Sequence, residues 1–63
     1  GGHIMKDFVL FKKVGRAEEF PIFSCAPDTP DRDAIVAAIK QQHIQTALSS
    51  GSQTPVFREH VPE

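Results

Sequence analysis

Sixty-three residues, 40% of them hydrophobic, with seven Lys and Arg against eight Asp and Glu and a single cysteine, describe one small domain. At this length a lone core is marginal and one cysteine closes no internal disulfide, so association or a metal must supply what the core lacks. The net charge of −1 gives no global pull toward nucleic acid or an anionic membrane, and no apolar run reaches the roughly 18–20 residues that span a bilayer.

Gly1-Gly2-His3-Ile4 ahead of Met5 read as an expression scar, which leaves residues 5–63 as the domain. No signal-type apolar segment follows Met5, so the expected setting is reducing and cytoplasmic.

The first predicted strand covers Phe8 to Val14, aromatic and β-branched at its start and closing on Lys12-Lys13. Gly15-Arg16-Ala17-Glu18 has turn character, and Glu19 to Cys25 forms a second strand close enough to pair as an antiparallel hairpin. Phe8-Val9-Leu10-Phe11 and Phe20-Pro21-Ile22-Phe23 are apolar at consecutive positions. Strand side chains alternate between faces, so both faces of the hairpin are expected to be apolar. Pro21 lacks an amide donor and belongs on an edge strand or at a bulge.

Ala26-Pro27-Asp28-Thr29-Pro30 breaks the strand. Thr29 is the expected N-cap of a helix, with Pro30 at its first position and Asp31 and Asp33 in its first turn. The helix runs through Ala34 to Leu48 and stops at Gly51, which suits the position after a helix end. At 3.6 residues per turn, Ile35, Val36, Ile39, His43, Thr46 and Ala47 share one arc, and Ile39 is the expected core residue. Ala38, Gln41, Gln42 and Gln45 line the opposite face. Beyond the polar link Ser52-Gln53-Thr54, residues 55–61 alternate: Phe57, Glu59 and Val61 on one side, Val56, Arg58 and His60 on the other. They form a third strand or an extended tail. The fold class is therefore α+β, a hairpin under one helix with a possible third strand, in β-β-α-β order.

No motif for catalysis rises above this background. Cys25, His43 and His60 lie far apart with none of the paired spacings of a zinc site, and Asp28 close to Cys25 opposes a reactive thiolate. Asp31 and Asp33 diverge around a helix, and no glycine-rich phosphate loop is present. No cofactor, metal or catalytic residue is expected.

The apolar surplus points instead to a non-enzymatic protein–protein interaction module, a regulator, adaptor or inhibitor that self-associates through a sheet face. The expected partner-binding residues are Phe8, Phe11, Lys12, Lys13, Arg16 and Phe23. Lys6, Lys12, Lys13 and Arg16 also concentrate positive charge in the first sixteen residues, suited to steering an acidic partner. The alternative is a small nucleic-acid-binding protein whose basic hairpin contacts phosphate.

Overall fold

A computed structural model describes residues 6–62, so the scar assigned to residues 1–4 lies outside the described residues, as do Met5 and Glu63. Strand β1 spans Phe8–Lys13, β2 Phe20–Cys25 and β3 Val56–His60, with helix α1 at Arg32–Ser50 between β2 and β3. The order is β-β-α-β, and the third strand forms. The sheet runs β2-β1-β3, with both neighbours antiparallel to β1. The outer strands are consequently parallel to each other. Parallel strands need a long crossover between them, and α1 supplies it.

Cross-strand partners share a face, so the register sorts the side chains. Phe8 pairs with Cys25 and Leu10 with Phe23; on the other flank Leu10 pairs with Glu59 and Lys12 with Phe57. These residues face α1. Val9 pairs with Ser24 and His60, and Phe11 with Pro21 and Arg58, on the opposite face.

Between Leu10 and Phe11 the β2 register slips by one residue, leaving Ile22 as an unpartnered bulge beside Pro21. Pro21 thus sits both on an edge strand and at a bulge. The bulge also changes the character of the sheet. Ile22 and Phe23 both pack against the core under α1, and β2 offers only exposed Pro21 and Ser24 to the far side. The expectation that both faces of the hairpin are apolar fails at β2, because a bulge places two successive side chains on one face.

The core is small. Phe8 and Leu10 are fully buried, Val36 is 4% exposed, and Val9 on the far face is 7% exposed. Ile22, Phe23, Cys25, Ile39 and Phe57 pack around this cluster while half-buried. The helix is anchored by Val36, and Ile39 sits at the core margin rather than in its centre. Ile35, expected on the buried arc, is exposed, while the glutamine face points to solvent as expected.

The helix starts two residues later than its sequence signals imply. The Thr29 hydroxyl donates back to the Ala26 carbonyl at 2.7 Å, and the Thr29 N–H bonds the same oxygen at 3.1 Å. That hydroxyl closes a turn instead of capping a helix, the competing use open to Ser and Thr side chains. Asp31 becomes the N-cap in a left-handed conformation, with no side-chain cap bond. The C-terminus follows its signal. Gly51 adopts φ 73°, with its N–H on the Leu48 carbonyl and the Ser52 N–H on the Ala47 carbonyl, a Schellman closure. Gly15 turns the hairpin at φ 56°, where an added Cβ would collide with the Gln53 side chain.

Burial ranks the apolar residues. Leu10→Ala removes a fully buried side chain and is expected to cost about 2–5 kcal/mol. Ile39→Ala, at the half-buried margin, is expected to cost less than half of the Leu10 value. Urea unfolding of the two variants checks this, and equal losses would place Ile39 in the core.

Candidate functional site

The length of α1 determines where a site can lie. Nineteen helical residues span about 28 Å, whereas six-residue β1 covers about 20 Å. Val36 packs on Phe8 and Leu10 at the start of β1, and His43, two turns later, reaches Lys12 near its end. The last turns of α1 therefore project past the sheet. Beneath them lies a cleft of about 500 Å³ bordered by Lys12, His43, Thr46, Ser50, Gln53 and Pro55.

Lys12 Nζ lies 3.1 Å from His43 Nδ1. An ammonium has no lone pair, so the imidazole accepts and its own proton resides on Nε2. Burial, reinforced by the Lys12 charge, holds the His43 pKa below its ordinary value, so the ring is neutral near pH 7. The ring also meets Phe57 edge-on, with centroids 6.4 Å apart. The Lys12 ammonium lies 5.6 Å from the Phe20 ring centroid. Among the described residues, Lys12 makes no ion pair.

The nearby carboxylates are engaged elsewhere. Glu59 accepts from Lys40 at 3.3 Å, bridging β3 to α1. Glu19 takes both Arg58 Nε, at 2.9 Å, and Arg58 Nη2, at 2.8 Å. That bidentate bond, partly opposed by desolvation, holds the Glu19 carboxyl below its usual range. The Arg58 guanidinium also stacks 4.3 Å from the Phe11 ring centroid. On the far face, a charged clamp running from β3 to the residue before β2 thus roofs Phe11.

The six residues expected to bind a partner are distributed unevenly. Phe8 is fully buried under α1, with the Arg32 guanidinium 4.7 Å from its ring centroid, and offers no surface. Phe23 packs half-buried on the same side. Phe11 lies half-buried on the far face beneath Arg58, with exposed Lys13 farther along that face. Arg16 is exposed in the hairpin turn, and Lys12 enters the helix-side cleft. The hydrophobic and basic members therefore do not form one patch.

Sequence reasoning missed the roles of His43, Arg58 and Glu19. The spacing of His43 seven residues after Val36 placed it on the sheet-facing stripe. Its pairing with Lys12 follows only once helix and strand lengths are set side by side. Among the described residues no group of three His, Cys, Asp or Glu side chains gathers as a metal site. No helix among them is long and apolar enough to cross a membrane. Comparison with protein-family models, curated proteins and solved structures yields no match, so function is read from this geometry.

The His43 environment has a pH consequence. Its pKa is lowered on folding from a reference value of 6.5, so below that pH the unfolded chain binds more protons than the folded one. Stability should therefore fall on acidification through this window. Melting curves from pH 7.5 to 5.5 are expected to show a smaller decline for His43→Gln than for the parent; matching slopes would contradict the assignment.

Proposed function

We propose that this protein is a small non-enzymatic interaction module that pairs with a second copy of itself through the helix-free face of its sheet and acts by occupying a partner protein's surface. The observation that carries this reading is the imbalance between sheet and cover. Among the described residues only Phe8, Val9, Leu10 and Val36 are buried, and α1 is the single helix. A core of this size leaves the isolated domain folded but with little stability to spare, and pairing with a second copy adds to it.

The helix-free face suits an isologous pairing. Val56 is 68% exposed there, beside the Arg58-roofed ring of Phe11 and exposed Pro21. The Glu19–Arg58 clamp brings both signs of charge onto this one surface. A two-fold axis can set acid on one copy against base on the other. The hairpin tip supports a protein partner over a phosphate backbone, because Glu18 and Glu19 follow Lys13 and Arg16 in the turn and leave no uniformly basic stripe.

Sedimentation equilibrium at micromolar concentration is expected to give a dimer mass. Val56→Asp is expected to shift the chain toward monomer with helix content unchanged, since the exposed Val56 side chain contributes little to the monomer's own core. A parent that remains a folded monomer at high micromolar concentration would contradict the reading.

A further inference from the structure

The cleft beneath the overhanging end of α1 is a built space with one unusual occupant, a lysine whose hydrogen-bond partner is a neutral base. Most protein lysines of this kind face water or a carboxylate. Lys12 is half-buried at the cleft floor, directs one donor to His43 Nδ1, and has no carboxylate among the described residues to balance it. An ammonium carries three donors; one goes to His43 and the Phe20 ring lies 5.6 Å away, so the ammonium can still donate to an incoming acceptor. His43 borders the same cleft.

Resting on the interaction reading above, we infer that this cleft receives a carboxylate side chain from an acidic peptide segment of the partner protein. Lys12 supplies the opposing charge, and Pro55 and Ala47 supply apolar wall for the methylenes that carry the carboxylate. Thr46 Oγ1 donates to the Gln42 carbonyl at 2.9 Å, which leaves its lone pairs toward donors rather than anions, so the charge recognition rests on Lys12. Asp and Glu fit this site better than phosphate does. The cleft lies under the C-terminal end of α1, where the helix dipole presents partial negative charge and disfavours a dianion. The same pole opposes a carboxylate with about half the force it exerts on a dianion, and the Lys12 ammonium offsets it.

The test is a titration of the full chain with a fluorescein-labelled peptide of alternating Ala and Glu, against the same peptide carrying Gln, and against oligothymidylate of equal length. Backbone amide shifts in NMR locate the site. Saturable binding of the acidic peptide is expected, with shifts concentrated at Lys12, His43, Thr46 and Gln53. Lys12→Gln should weaken it tenfold or more and Lys12→Arg should restore most of it, while Lys6→Gln changes it less than twofold.

Thr46→Glu keeps the test decisive if Lys12→Gln fails to fold. It places a negative charge at the mouth from an exposed helix position, and should also weaken binding at least tenfold. Equal affinity for the Gln peptide, no saturation below millimolar peptide, shifts elsewhere, or parent-like binding by Thr46→Glu would each overturn the inference. Tighter binding of oligothymidylate at the same residues would overturn it in favour of nucleic acid. Sedimentation of the same samples separates the two readings. A dimer that ignores the acidic peptide refutes the cleft alone, and a monomer that binds it refutes the self-association alone.

Discussion

Strand β1 is hydrogen-bonded on both sides, and the rest of the molecule takes its position from that fact. Phe8 and Leu10 point toward α1 and make the fully buried centre of the core, while Val9 and Phe11 point the other way. Because β2 and β3 both oppose β1, the link between them must travel the length of the sheet. It does so as a helix longer than the strands it covers. The overhang that results is a consequence of lengths, and it brings Lys12 and His43 together at the rim of the core.

The bulge at Ile22 works with this arrangement. By turning both Ile22 and Phe23 beneath α1, it enlarges a core that would otherwise be thinner on the β2 side. It also leaves the far face with less apolar surface than an unbroken β2 would give. That face is part grease and part charge, with Arg58 lying across Phe11 to reach Glu19. A mixed surface of this kind is typical of interfaces between proteins that also exist apart, whose composition is close to that of ordinary surface. The two sides of the sheet thus support different tasks in the proposed function: pairing on the helix-free face, charge recognition beneath the helix.

Much of the fold was legible in the chain because its local signals agree with each other. The apolar runs, the turn at Gly15, the uninterrupted stretch from Ala34 to Leu48 and the stop at Gly51 all name their elements directly. The alternation around Phe57 and Arg58 correctly separates the two faces of β3. The helix start was not legible, since a threonine before a proline can either cap a helix or close a turn, and the Ala26 carbonyl decides which. Nor was the exact helix register on the sheet. Ile35, Val36 and Ile39 are equivalent in pattern, and only the three-dimensional docking selects Val36. Of the candidate site, the basic residues were visible as a cluster in sequence, but β1 alternation sends Lys12 and Lys13 to opposite faces. His43, Arg58 and Glu19 depend on contacts between segments distant in the chain, which local spacing does not encode.

β1 and the helix segment packed on it carry the buried side chains, and the last turns of α1 extend beyond them. Amide hydrogen exchange resolved by residue measures this directly, since exchange reports local opening as well as global unfolding. The amides of Val9 to Lys12 and of Ile39 to His43 are predicted to exchange slowest and together, with those of Ala47 to Ser50 faster by at least tenfold. Uniform protection along α1, or a β1 that exchanges faster than the helix end, would contradict the account.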